Sequence, residues 1–275
     1  TLDVNGDVSS IRDKKQENIE LLKSPIRQSL SLDQPGYWLA WEISRGNIER
    51  APYGYVGENA TVSIAENGPL RASLKVTRTA KKYRDPDVPS TYIPSQYVQY
   101  IQLTSYGSKD RIYFVNEIDW KTTETFLKAE FDLNATNEKA TFDLSIGAIE
   151  RKTRQIGDKL FEVAGHQWAD VTHNDDSYGI SILNDCKYGW DKATDNKLRL
   201  TLIHTPKDGG NYSHHKNQDL GLNKFTYSFY RHTGKWGEAT QWEAAKLNQP
   251  LTAYQATKHT GSLGKSYEFV SVNSD

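Results

Sequence analysis

The chain has one cysteine and no methionine in 275 residues. A single thiol, Cys186, cannot close an internal disulfide, so this is no disulfide-stapled secreted domain. Lys187 beside it can tune the thiol, but Cys186 is expected to be a buried apolar side chain at the end of the Ile180–Ile182 strand. The missing methionine leaves two readings open. Either the chain is an internal piece without its start codon, or selenomethionines have dropped out of the sequence and spacings slip by one position.

Neither sign of charge dominates. Lys and Arg number 34 against 35 Asp and Glu, a formal net charge of -1. That gives no electrostatic reason to expect nucleic acid or an anionic membrane as partner. Mean hydropathy is -0.73, and no apolar run is long enough for a transmembrane helix. The opening TLDVNGDVSSIRDKK lacks the basic-then-apolar pattern of a secretory leader. Compartment stays open between cytoplasm and periplasm. Sequons stand at Asn59, Asn134 and Asn211, and matter only where the host glycosylates.

Chemical motifs are also scarce. There is no HExxH, no Cys/His finger spacing and no GxSxG elbow. His214-His215 sits in a polar loop and reads as solvated. Retaining glycosidic cleavage needs two carboxylates roughly 5 Å apart. Asp170, Asp175, Asp176, Asp185 and Asp191 have the right type, but nothing places any two together. No catalytic residue and no metal ligand is assigned.

What is present is period-two alternation, the mark of half-buried strands. Leu70, Ala72, Leu74 and Val76 form one such face. Leu127, Ala129, Phe131 and Leu133 form another, with Lys128, Glu130 and Asp132 pointing away. Ala140, Phe142, Leu144, Ile146 and Ala148 continue the pattern, as do Leu198, Leu200 and Leu202, and Phe225, Tyr227 and Phe229. Ile112–Trp120 and Tyr267–Val272 are further candidates. Turns are expected at Glu66–Pro69, Gly107–Asp110 and Asp208–Asn211, and a long loop over Lys81–Ser95. Only Asp13–Lys23 and Ala239–Leu247 look helical. Many strands with very little helix predict an all-β chain, a large antiparallel β-sandwich.

Phe161 to Trp190 gathers Trp168, Asp170, Asn184, Asp185, Lys187, Tyr188 and Trp190. Aromatic faces, amides and charges at that density suit a sugar-handling surface. The stretch also resembles the C-terminal β-domain of family 38 glycoside hydrolases, the α-mannosidases. Glu162-Val163 followed by His166-Gln167-Trp168-Ala169-Asp170 is similar to that family's Glu-Val-x-x-His-x-Trp-x-Asp motif. Leu183-Asn184-Asp185-Cys186-Lys187-Tyr188-Gly189 matches its form without change. Gly6–Lys14, Leu39–Ile43, Ile149–Thr153 (with Lys152 for the usual Pro), Leu198–Pro206, Asp219–Gly221, Phe225–Tyr227 and His232 resemble further markers in the same order.

The resemblance implies one domain over residues 1–275 with the galactose mutarotase-like supersandwich fold. It implies a retaining hydrolase of terminal α-linked mannose on oligosaccharides or glycans. The nucleophilic Asp, the acid and the Zn²⁺ ligands would lie in an N-terminal α/β barrel outside this chain. The chain itself is expected to be inactive, to pack on that catalytic domain, and to shape the rim of the substrate cleft. His204, Asp185, Lys187, Tyr188 and Trp168 are the expected contacts with a mannose-containing oligosaccharide. His204 stands where the family commonly has Arg, and alternation puts it on the face of Leu198, Leu200 and Leu202. It also reads as an interface histidine, and Asp185, Lys187 and Tyr188 also read as a structural turn network. One rival is a stand-alone carbohydrate-binding module centred on an exposed Trp. A second is a sugar isomerase, for which His166 with Glu162 is the nearest acid–base pair.

Overall fold

A computed structural model describes residues 1–36, 40–41, 43–80, 94–105, 111–153, 162–207, 210–262, 264 and 266–271, without the side chains of 210–213. The larger of its sheets has nine strands. In spatial order they are β11 (Gly147–Lys152), β10 (Lys139–Leu144), β13 (Trp168–Thr172), β14 (Tyr178–Asn184), β17 (Gly221–Thr233), β8 (Arg111–Trp120), β7 (Ser95–Thr104), β6 (Arg71–Ala80) and β5 (Glu58–Asn67). The second sheet has six: β12 (Val163–Ala164), β15 (Gly189–Lys192), β16 (Lys197–Thr205), β9 (Thr125–Asp132), β3 (Arg27–Leu32) and β4 (Gly54–Tyr55). A small ribbon pairs β1 (Arg12–Asp13) with β2 (Ile19–Glu20). Neighbours run antiparallel in both sheets. Helix α1 (Arg45–Glu49) belongs to a segment over the six-stranded sheet, and α2 (Glu238–Asn248) packs on β14 and β17 of the other.

The sheets face each other across one apolar core, as the alternation requires. Tyr227 of β17 stacks on Phe114 at 4.9 Å and meets the edge of Phe131 from the opposite sheet at 5.6 Å. Phe142 and Trp190 close the far end at 6.4 Å. A polar chain also crosses the core. The Tyr227 hydroxyl accepts from the Gln28 amide at 3.1 Å and from the Gln99 amide at 3.0 Å. Buried polar groups persist only when partnered in this way. Gly6, at φ 73°, sits where a Cβ would come 2.4 Å from Val76, so only glycine fits the turn.

The fold is the expected large antiparallel sandwich, and α2 matches the helix expected over Ala239–Leu247, but several local expectations need correction. Asp13–Lys23 is a ribbon, not a helix. Asp13 Oδ1 accepts the Lys15 N–H at 2.9 Å, and Glu17 and Asn18 take left-handed φ values of 47° and 62°. These local bonds compete with the helix. The pattern from Ala140 to Ala148 runs through a hairpin turn, leaving Ile146 96% exposed. On β6 only Val76 of the expected apolar face is buried, because this sheet extends past its narrower partner. The described part of Tyr267–Val272 has no strand partner and is exposed; Val272 lies outside the described residues. So do Leu39, Glu42, residues 81–93, the turn Gly107–Asp110 and Phe161.

Candidate functional site

The outward face of the six-stranded sheet carries the chain's densest chemistry. On β9 the alternation puts Phe126, Lys128 and Glu130 on that face. Lys128 is not solvated as expected; its side chain is 1% exposed. The residues around α1 cover this face, with Ile43 and Ile48 packed on Phe126. Lys128 Nζ lies 3.0 Å from Glu162 Oε1 and 3.0 Å from Asp191 Oδ2, and donates to Thr201 Oγ1 at 2.6 Å. Thr201 in turn donates to Glu162. Arg199 Nε bonds Asp191 at 2.7 Å and its guanidinium also reaches the Ile48 carbonyl at 3.2 Å. Each of these buried groups thus has a partner of opposite sign, which offsets the cost of taking it out of water.

A bulge then redirects β16. Leu198 and Leu200 pair with Phe131 and Ala129, and Thr201 pairs with Lys128. The register then shifts, so that Ile203 pairs with Leu127 and His204 with Phe126. Leu202 is the extra residue. His204 therefore shares the outward face with Thr201 and Lys128, opposite to Leu198 and Leu200. This corrects the expectation from simple alternation, which a single inserted residue inverts. His204 Nε2 lies 2.6 Å from Asp33 Oδ2, at the end of β3. Burial pushes the Asp33 carboxyl up and the Glu162 charge adds to it, while His204 and Lys128 pull the other way.

Beside these residues opens a cleft of about 540 Å³, lined among others by Trp41, Glu162, Lys187, Tyr188, Thr201, His204 and Asp219. Its size falls within the range of small-ligand sites. Three of the five expected contacts, His204, Lys187 and Tyr188, meet here. Asp185 does not line it. Its carboxylate accepts the Thr226 N–H at 2.9 Å, tying the Asn184–Lys187 turn to β17. It borders a separate depression of about 370 Å³ with His166 and Tyr188. Trp168 is no surface contact at all. It is fully buried under α2, tilted against Trp236 at 4.9 Å, with its indole N–H donated to Gln241 at 3.2 Å.

Cys186 is exposed on the cleft wall, contrary to the expected burial. Its thiol is pushed up to about 12 by partial desolvation first, then by the hydrogen bond and charge of Asp185, against the pull of Lys187. It stays a thiol at neutral pH. The proposed isomerase pair does not converge in one depression. Glu162 is engaged by Lys128 and Thr201, whereas His166 packs edge-on to Tyr188 at 5.8 Å. His214 is exposed, as expected, but His215 is buried. Among the described residues no three His, Cys, Asp or Glu side chains gather to hold a metal ion, and no helix is long and apolar enough to cross a membrane. The resemblance's zinc therefore has no fitting site among them.

Sequence reasoning did not single out Trp41 as a cleft residue or Asp33 as the partner of His204, and it raised Glu162 only as half of the isomerase pair. Each comes from a distant segment, and only the sheet order brings them together.

Residues 1–209 match the model of the family described as glycosyl hydrolases family 38 C-terminal domain. Alpha-mannosidase 2C1 of Mus musculus is 29% identical over 235 residues, covering 82% of this chain and 20% of that protein. Alpha-mannosidase G of Dictyostelium discoideum is 30% identical over 243 residues, covering 86% of this chain and 20% of that protein. The chain thus spans about a fifth of the length of the curated relatives it matches. Among solved structures, a protein in the glycosyl hydrolase family 38 from Enterococcus faecalis superposes with a TM-score of 0.72 at 18% identity, over 96% of this chain and 32% of that one.

Proposed function

We propose, from the premise that this chain belongs to the C-terminal domain family of the family 38 glycosyl hydrolases, that it is the β-sandwich part of an α-mannosidase. The observation that carries this is the family match over residues 1–209, with relatives named alpha-mannosidase. The whole enzyme would hydrolyse terminal α-linked mannose with retention of configuration. Its N-terminal catalytic domain would be the partner of this chain, and any zinc would be held by residues outside it. Residues 1–275 are taken as one domain. In support, β17 lies beyond the matched residues yet fills the gap between β14 and β8.

The chain's own share is to hold the substrate. His204, Lys187 and Tyr188 line one cleft together with Thr201 and Asp219. His204 offers a ring held against Asp33 at 2.6 Å, which fixes its orientation. Its other ring nitrogen can hydrogen-bond a sugar hydroxyl. Asp185 acts at one remove, by fixing the turn that presents Lys187 and Tyr188.

The test is hydrolysis of an α-mannobiose by the full-length protein, with the anomer of the released mannose followed by NMR. Release of α-mannose is expected, with kcat/KM lowered in the His204→Ala variant. Turnover by residues 1–275 alone would place the chemistry in this chain and sink the proposal. A stand-alone binding module remains the second reading, favoured by the exposure of Trp41 and Tyr188. It requires a native protein that binds mannosides without cleaving them.

A further inference from the structure

Aromatic rings are the side chains a sandwich core consumes first, so large ones left in water at a cleft call for a cause. Trp41 is 64% exposed and Tyr188 57% exposed, and both line the same cleft although they lie far apart in sequence. Each ring is braced by a histidine. His215 meets Trp41 at 5.1 Å and 82°, and His166 meets Tyr188 at 5.8 Å and 80°. An edge-on brace restricts how far a ring can swing, so less ordering cost remains when a ligand arrives.

The same lining carries the polar side chains of Lys187, Thr201, His204 and Asp219. Flat apolar faces beside hydroxyl-matching groups suit a pyranose, which has C–H faces and an equatorial belt of hydroxyls. The cleft's carboxylates are already engaged. Glu162 is held by Lys128 and Thr201, and Asp219 accepts the His204 backbone N–H at 3.1 Å. These commitments suit a site that holds a sugar rather than one that cleaves it.

We propose that Trp41 and Tyr188 form a stacking platform for the leaving-group saccharide of an α-mannoside, with Trp41 the specificity-determining residue. This rests on the mannosidase reading and deepens it. The terminal mannose sits where the reacting groups are, and those are assigned outside this chain. The sugar gripped by this cleft is then the one released. Trp41 thereby favours oligosaccharides over mannosides with small leaving groups.

The experiment compares two substrates on the full-length enzyme. An α-mannobiose carries a sugar leaving group, whereas α-mannosyl fluoride carries none. Trp41→Ala should lower kcat/KM for the disaccharide about tenfold, the equivalent of about 1.4 kcal/mol, mainly through KM. The fluoride should be turned over at the wild-type rate. Trp41→Phe, which keeps a ring face, should recover most of the loss. An equal loss on both substrates would mean a structural role or contact with the cleaved sugar, and would overturn the proposal. So would no loss on either. Wild-type enzyme inert towards both substrates would sink the mannosidase reading itself, and this proposal with it.

Discussion

Replacing Lys128 by Met should destabilise the sandwich by more than a surface lysine ever could. The methionine keeps the apolar stem but deletes the ammonium that Glu162 and Asp191 share. Those carboxylates are only 16% and 4% exposed. Asp191 retains Arg199, at 2.7 Å. Among the described residues Glu162 is left with a single hydroxyl donor, Thr201. Removing one partner of a buried ion pair costs about 3–5 kcal/mol, because the other charge is stranded. An exposed pair would cost at most about 1 kcal/mol.

For a chain of this size each kcal/mol moves Tm by roughly 2–4 °C, so a drop of about 6–20 °C is expected. The assay is thermal unfolding by circular dichroism, with urea unfolding to give the free energy directly. The discriminating variant is Lys128→Met with Glu162→Gln. A neutral amide needs no counter-ion, so the double variant should regain about half of the loss or more. A Lys128→Met protein within about 1 kcal/mol of wild type would refute the reasoning. It would mean that water reaches the ion cluster and screens it.

Other perturbations have sharp expectations. A Cβ at Gly179 would sit 2.4 Å from His232 Cε1 and 2.6 Å from Nε2, so Gly179→Ala should push the imidazole off Asp170, 2.7 Å away, and lower stability by about 1–3 kcal/mol in urea. Tyr227→Phe removes the oxygen that accepts from Gln28 and Gln99; a similar loss of about 1–3 kcal/mol is expected, and an unchanged urea midpoint would contradict it. Because the Cys186 thiol is pushed up to about 12, the thiolate is scarce below that pH; iodoacetamide at pH 8 should react at least about a hundredfold slower than with free cysteine. The rate should climb as pH approaches the raised value, and Asp185→Asn should speed labelling by removing the charge that opposes the thiolate.

The fold was legible because alternation survives wherever a strand has one buried face. β8 follows it from Phe114 to Trp120, and Phe225, Tyr227 and Phe229 keep it in β17. It misled where a second layer covers the outer face. Lys128 and Glu130 look like solvent positions from their spacing, but the residues around α1 pack on that face and Glu162 reaches Lys128. No periodicity in β9 encodes that cover. His204 was misplaced for a different reason: the bulge at Leu202 adds a residue without any glycine or proline to announce it. Trp168 was legible as important but not as buried, since the residues that enclose it, Trp236 and Gln241, arrive late in the chain. The Asn184–Tyr188 turn carried the clearest signal of the site, because local turn chemistry and the family motif coincide there. Trp41 carried little, because its place in the cleft involves His215 and Tyr188, which no local pattern connects to it.

The outward face of the six-stranded sheet therefore joins a buried ion cluster to the cleft through one set of bonds. Its ion chain runs from the Ile48 carbonyl through Arg199, Asp191 and Lys128 to Glu162, and Glu162 is itself a wall of the cleft. The same carboxylate leaves no room for a side chain at Gly189, where a Cβ would come 2.6 Å from its Oε1. Glycine there lets the chain leave the Lys187–Tyr188 turn close against Glu162. The bulge then carries β16 from the buried cluster at Thr201 to the cleft at His204 within three residues. Ordinary sandwich faces are solvated and free to vary. This one is fixed by charges that cannot be stranded, which is what a wall needs if it is to hold a sugar ring in one place.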